Sequence, residues 1–202
     1  MKLICIGRNY VKHIEELDNE KPESPIIFLK PDSSLIINND PFYYPEFSSE
    51  IHYEVEILIK IKKVGKSIPV NFAHNYYDRI GLGIDLTARD LQNKAKTKGL
   101  PWDLAKGFNG SAPISHFIPK DPFNVQNLNF SLKLNGNTVQ SSNTSLMLWP
   151  IDEMIAYVSQ YMTLKKGDIL FTGTPEGVGP IKIGDQLEGF IESQNMFDFE
   201  IR

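Results

Sequence analysis

HYEVEILIKI, residues 52–61, reads as a β-strand that carries two acids at its start. Val55, Ile57, Ile59 and Ile61 alternate along it, and β-branched residues favour a pleated, buried surface. Side chains in a strand leave opposite faces in turn. Glu54 and Glu56 therefore share one face, and Val55 and Ile57 point to the other. Two carboxylates side by side repel each other, and packing gains nothing from them. A hard divalent cation needs oxygen ligands and removes the repulsion. Asp85, at the end of the short apolar run in GLGID (81–85), offers a third carboxylate. Glu54, Glu56 and Asp85 thus form a candidate site for Mg²⁺ or Mn²⁺. No Cys/His cluster suits zinc. The same spacing also fits acids facing solvent from a half-buried strand, so spacing alone leaves both readings open.

Upstream of this strand, 35–37 is a short apolar piece. Phe42, Tyr43, Tyr44 and Phe47 form an aromatic patch that packs beside the glutamate strand or against a second subunit. IIFLKP (26–31) reads as a strand ending in Lys30 and stopped by a proline. Lys30 can present a cation to an anion, although a lysine at a strand end is usually solvated. Residues 2–6 read as another strand, GRNY (7–10) as a turn, and about 11–25 as a mobile loop or short lid helix. His13 and Glu16, three apart, share a face if that piece is helical. A carboxylate beside an imidazole fixes its tautomer and raises its basicity, as a general base requires. An exposed imidazole on a surface turn is the plainer alternative.

Downstream, KKVGK (62–66) is a turn and 71–80 is expected to hold a helical segment leading into the Asp85 strand. In TARDLQNKAKTKGLPWDLAKGF, Arg89 and Gln92 lie three apart and can face one cleft. Lys106 stands just before Gly107, where it can pair with a substrate anion. Residues 114–120 and 127–147 read as strands, with a hairpin turn at Asn135-Gly136-Asn137. WPIDEMIAYVSQYMTLKKGD is the clearest helix. Asp152 and Glu153 open it, and Lys165, Lys166 and Gly167 are expected to close it. ILFTGTPEGVGPIKIGDQLEGFIE gives a strand, a glycine-rich turn and two short strands. GTPEGVG is no P-loop, since it lacks the GK[ST] ending. Gly173 permits a close backbone turn, and Thr174 can offer a hydroxyl and an amide to a carboxylate.

The 202 residues suffice for one domain with a large core. A net charge of −4 leaves no electrostatic footprint of a nucleic-acid binder. No 18-residue apolar run or leader-like opening is visible, so no membrane partner is expected and cytoplasm is the expected compartment. Cys5, the only cysteine, sits in an apolar run and is expected in the core. The N-x-S/T triplets at Asn109, Asn129 and Asn143 carry no meaning in a cytoplasmic chain.

Taken together, GRNYVKHIEE, FLKP, HYEVEI, DLTARDLQ, KGLPWDLAKGF and FTGTPEGVGP, in this order, resemble the fumarylacetoacetate hydrolase family. The likeness is greatest to its small acylpyruvate hydrolase and oxaloacetate decarboxylase members, from about residue 4 to about residue 189. The resemblance implies an α+β, β-rich fold, a mixed β-sandwich roll, usually in a homodimer. It implies that Glu54, Glu56 and Asp85 hold Mg²⁺ or Mn²⁺, and that His13 and Glu16 ride on a lid that orders over substrate. It makes Lys106 the active-site lysine and places Lys30, Arg89, Gln92, Gly173 and Thr174 around a small 2-oxo acid. Members similar to this chain often carry a second histidine where Tyr53 stands. Tyr53 should point away from the metal. The activity implied is hydrolysis of the C–C bond of acylpyruvates through a metal-stabilised pyruvate enolate. Oxaloacetate decarboxylation or tautomerisation is the first alternative and isomerisation of a hydroxydienedioate the second. A metal-stabilised binding protein is the non-enzymatic one.

Overall fold

The strand that begins at Val55 lies inside a six-stranded mixed sheet. The computed structural model describes residues 1–18 and 20–202. The sheet order is Ile26–Lys30, Leu3–Gly7, Ile169–Phe171, Val55–Ile61, Tyr77–Ile84 and Ile118–Pro119. Leu3–Gly7 and Ile169–Phe171 run parallel; their neighbours are antiparallel. A four-stranded antiparallel sheet is built from Asn137–Asn143, Asn129–Leu134, Gln186–Ile191 and Gln194–Glu200. The fold is thus mixed α+β and rich in strand.

Period-two alternation explains how the sheets pack. On one face of the large sheet, Ile4, Ile6, Ile57, Ile59, Ile80 and Leu82 join a core with Leu132, Leu187 and Phe197 of the second sheet. The same core takes the apolar face of the Ile151–Tyr161 helix through Ile151, Met154, Ile155 and Val158. Burying one such side chain contributes about 1.5–3 kcal/mol. Gly189 makes the contact between the sheets possible, because a Cβ there would lie 2.3 Å from the Phe197 ring and 2.7 Å from Leu82. The other face carries Leu3, Cys5, Leu58, Ile169 and Phe171, so Cys5 is a core residue. Tyr53 joins the main core, opposite in parity to Glu54. No helix among the described residues is long and apolar enough to cross a membrane.

Several expectations need correction. The segment at 71–80 is helical only over Val70–Ala73 and the tight turn His74–Tyr76; from Tyr77 it is strand. Pairing with 55–61 overrides its weak helical pattern. The Ile151–Tyr161 helix stops short of Lys165, since Met162 is extended and Leu164 exchanges two backbone hydrogen bonds with Gly65. Residues 114–120 contain only the short strand Ile118–Pro119 and a bridge at Ile114. The hairpin holds, with Asn135 and Gly136 both at positive φ. Of the segment about 11–25, Val11–Glu16 is helical, and Asn19 lies outside the described residues.

Candidate active site

Two neighbouring strands change sheets at the same place. Ile51–Tyr53 belongs to a small three-stranded sheet and Val55–Ile61 to the large one, so Glu54 is the residue at the crossing. Opposite it, Tyr77–Ile84 pairs with 55–61 and Thr87–Ala88 with 51–53, which leaves Asp85 and Leu86 at the crossing. The Asp85 amide donates to the Glu54 carbonyl at 2.8 Å and ties the two crossings together. Glu56 follows one pleat later, and its Oε2 accepts the Gly173 amide at 2.7 Å. Gly173 has φ +96°, and a Cβ on it would stand 2.6 Å from Asn9 Cβ, so only glycine fits there. Carboxylate oxygens of Glu54, Glu56 and Asp85 lie within 4.8 Å of one another, and all three residues are buried.

Three cations surround these acids. Lys106, ending the short helix Asp103–Lys106, donates to Glu54 Oε2 (2.8 Å), Asp85 Oδ2 (2.6 Å) and Thr87 Oγ1 (2.6 Å). An ammonium has three donors, so Lys106 is fully committed. Arg89 opens the Arg89–Lys98 helix and donates to Glu54 Oε1 at 2.5 Å and to Gln92 Oε1 at 2.6 Å. Its buried Nε has no hydrogen-bond partner among the described residues. The Lys30 ammonium lies 2.8 Å from Asp85 Oδ1. Its donors go instead to Ser111 Oγ (3.0 Å), the Leu86 carbonyl (3.3 Å) and the Lys106 carbonyl. Asp85 Oδ1 therefore feels the charge of Lys30 but accepts no hydrogen bond from the described residues.

These contacts set the protonation states. Burial would raise the Glu54 carboxyl, but Lys106 and Arg89 overcome it and hold the group well below the usual carboxylate range. Glu56 forms no ion pair among the described residues: burial, then the neighbouring Asp85, pushes it well above that range, against the Gly173 amide and the more distant Lys106. Burial opposes the charge on Lys106, yet Asp85 and Glu54 raise its pKa. The donor set suits a hard divalent ion. It converges oxygens only, and it leaves Asp85 Oδ1 without a hydrogen bond among the described residues.

His13 faces the same pocket, on the Val11–Glu16 helix. Its Nδ1 lies 3.3 Å from Glu16 Oε2, and Glu16 Oε1 accepts the Gly177 amide at 3.0 Å. Burial lowers the His13 pKa, against the pull of Glu54 and Glu16, so the ring is neutral at neutral pH. His13, Arg89, Gln92, Lys106, Thr174 and the three acids line one pocket; Gly173 sits behind Glu56. Lys30 is wholly buried behind Asp85 and lines no part of the pocket, contrary to the expected solvated or substrate-facing lysine. Trp102 lines it, packed edge-on against Phe28, whereas the 42–47 aromatics do not; Phe42 and Phe47 pack on Phe108.

Three supporting residues escaped sequence reasoning. Gln140 accepts the Val55 amide on Oε1 at 2.9 Å, which fixes its orientation, and donates from Nε2 to Thr174 Oγ1 at 2.9 Å. The Thr174 hydroxyl proton is thereby turned elsewhere. Asn9 donates to the Thr172 carbonyl at 2.8 Å and accepts the Trp149 amide at 2.8 Å. Thr87 supports Lys106. Only Gln140 left a trace in the sequence, as a polar residue at an inward strand position.

The family model "Fumarylacetoacetate (FAA) hydrolase C-terminal" matches residues 2–201. The mitochondrial oxaloacetate tautomerase FAHD1 of Bos taurus is 38% identical over 200 residues, 98% of this chain and 90% of that protein. The mitochondrial oxaloacetate decarboxylase of Dictyostelium discoideum is 41% identical over 206 residues, covering 100% of this chain and 94% of that protein. Among solved structures, a fumarylpyruvate hydrolase from Pseudomonas aeruginosa, in complex with Mn²⁺ and pyruvate, superposes with TM-score 0.94 at 31% identity. That match covers 100% of this chain and 89% of that one. The chain belongs to the fumarylacetoacetate hydrolase family.

Proposed function

We propose that this protein is an enzyme that forms enolates from small 2-oxo acids, with Glu54, Glu56 and Asp85 holding Mg²⁺ or Mn²⁺ and with acylpyruvate C–C hydrolysis as its reaction. The observation that carries this reading is the meeting in one pocket of the three-carboxylate cluster and His13, whose Nδ1 is paired with Glu16. Charge supports it. With all groups ionised, Glu54, Glu56 and Asp85 balance Lys30, Arg89 and Lys106. A divalent ion adds two positive charges, matched by the carboxylate and enolate oxygens of a 2-oxo acid enolate. The chemistry a bound Mg²⁺ or Mn²⁺ supplies is Lewis acidity toward the adjacent carboxylate and 2-oxo oxygens.

The chain's own residues do the rest. Glu16 fixes the Nδ1–H tautomer of His13, which leaves Nε2 as the base. Nε2 takes a proton from water, and the hydroxide adds to the distal acyl carbonyl. The C3–C4 bond then breaks, giving a carboxylic acid, which loses its proton to solvent, and the pyruvate enolate, whose C3 takes a proton back from Nε2–H. The buried Arg89 Nε and the turned-out Thr174 hydroxyl are donors for the substrate carboxylate. The Val11–Glu16 helix acts as a lid that excludes bulk water.

The names of the bovine and Dictyostelium relatives favour a second reading, tautomerisation or decarboxylation of oxaloacetate. Tautomerisation needs only proton transfer between C3 and the 2-oxo oxygen; decarboxylation needs no water nucleophile. Product analysis on acetylpyruvate and oxaloacetate with Mg²⁺ separates these reactions. His13→Ala should lower hydrolysis by about 10²–10⁴-fold and decarboxylation far less. Equal loss of both removes the assigned role of His13.

A further inference from the structure

The Val11–Glu16 helix is too short to stand alone. It has six residues and no side-chain cap at its start, and it buries only His13 and Ile14. An isolated helix of that length is unstable in water, so contacts with the rest of the fold hold it. The loop that follows the Ile169–Phe171 strand supplies such contacts. Lys12 Nζ lies 3.5 Å from Glu176 Oε1, but Lys12 is exposed and Glu176 partly so, and a pair of that kind contributes little. The Gly177 amide donates to Glu16 Oε1 at 3.0 Å, and the other oxygen, Oε2, faces His13 Nδ1 at 3.3 Å. One carboxylate thus ties the imidazole to the loop. A hydrogen bond to an ionised acceptor is stronger than one between neutral groups. The loop is fixed in turn. Gln140 Nε2 donates to Thr174 Oγ1 (2.9 Å) and to the Pro175 carbonyl (3.0 Å), which lays the loop against the Asn137–Asn143 strand. Gly177 has φ +93°, and a Cβ on it would stand 2.3 Å from the Val139 carbonyl oxygen. Only glycine lets the loop lie this close and turn its amide toward the lid. At the other end of the loop the Gly173 amide holds Glu56. The same loop therefore grips one carboxylate of the candidate metal site and the carboxylate that orients His13.

We propose that Gly177 is a positioning residue for His13: its amide anchors Glu16, and through Glu16 it holds the lid helix against the pocket and keeps the imidazole in its Nδ1–H tautomer. The inference rests on the reading of His13 as the base and adds what sets its place. Gly177 acts through Glu16 and takes no part in proton transfer. Without the anchor, the partly exposed Glu16 is free to turn to solvent. His13 then loses the acceptor that fixes its tautomer, and Nε2 carries the lone pair in only a fraction of the molecules. Glu54, Asp85, Arg89 and Lys106 keep their mutual contacts.

Gly177→Ala and Glu16→Ala, alone and together, test it as a double-mutant cycle on kcat for acetylpyruvate hydrolysis, with His13→Ala beside them. Gly177→Ala should lower kcat about tenfold, the worth of one hydrogen bond to a charged group. In the Glu16→Ala background it should change kcat little, because the anchored group is gone. Nitrogen NMR shifts of the imidazole should show His13 as the single Nδ1–H tautomer in wild type and as a mixture in both single variants. Hydrogen exchange in wild type and Glu16→Ala reads the anchor with Gly177 intact, which keeps the test alive if Gly177→Ala fails to fold. The Gly177 amide should exchange faster in Glu16→Ala, and the Gly173 amide should not. Three results overturn the anchor and leave the base reading standing: losses that multiply in the double variant, a His13 tautomer unmoved by Gly177→Ala, or a Gly177 amide that exchanges at the wild-type rate in Glu16→Ala. Hydrolysis unaffected by His13→Ala overturns both.

Discussion

Replacing Lys106 by methionine removes the one group that bridges Glu54, Asp85 and Thr87. Methionine keeps most of the length and apolar volume, so the change is mainly one of charge. Two carboxylates, both almost wholly buried, lose a donor at 2.8 and 2.6 Å. Breaking one buried pair typically costs about 3–5 kcal/mol, because the remaining charge stays desolvated. Arg89 and Lys30 remain beside Glu54 and Asp85 and soften the loss, so Lys106→Met should fall within that range. That is a large share of the roughly 5–15 kcal/mol that holds a domain folded. Urea unfolding in EDTA measures it. A second expectation follows from the lost positive charge. The ligand cluster becomes more negative, so Mg²⁺ should raise the unfolding midpoint of Lys106→Met by more than it raises that of wild type. A loss below about 1 kcal/mol, or a smaller response to Mg²⁺ than wild type shows, would refute the claim that Lys106 neutralises the acids.

Gly173→Ala forces an L-residue into φ +96° and drives its Cβ against Asn9. The left-handed backbone costs about 1–2 kcal/mol and the overlap about 1–3 kcal/mol more; a melting temperature unchanged from wild type would contradict the geometry. Gln140→Leu leaves the buried Val55 amide without an acceptor, a loss of about 1–3 kcal/mol. It also frees the Thr174 hydroxyl to rotate, so KM for a 2-oxo acid should rise; wild-type stability and KM would remove Gln140 from the account. His13 must be neutral to accept a proton, and burial holds its pKa below the ordinary value. Hydrolysis should therefore be full at neutral pH and fall as pH drops, with the inflection in kcat/KM below about 6.5. An inflection clearly above that value would show a different base.

The alternation around Glu54 and Glu56 was legible because parity is a local property: counting by two put both acids on one side and Val55 and Ile57 in the core. The sheet crossing at Glu54 was not. It exists because strands about thirty residues apart in sequence leave one sheet for another in register, and no local pattern shows that. The same non-locality hid the burial of Lys30. A strand-end lysine reads as solvated until Asp85 and the Lys106 carbonyl are folded over it. Residues 77–80 looked helical because the neighbouring 55–61 strand, which claims them, does not appear in a short window. Gln140 and Asn9 act by holding backbone, and a single polar residue in a strand or turn carries no mark of the partner it will meet.

The central claim is that the protein, loaded with a divalent cation, makes an enolate from a 2-oxo acid. Exchange of the C3 protons of pyruvate in D₂O, followed by NMR with Mg²⁺ or Mn²⁺, tests it most directly. Catalysed exchange that saturates with pyruvate, and that is lost in Glu54→Gln, Glu56→Gln and Asp85→Asn, is the predicted result. Exchange no faster than in buffer with the same metal, or unchanged by those three substitutions, would contradict it.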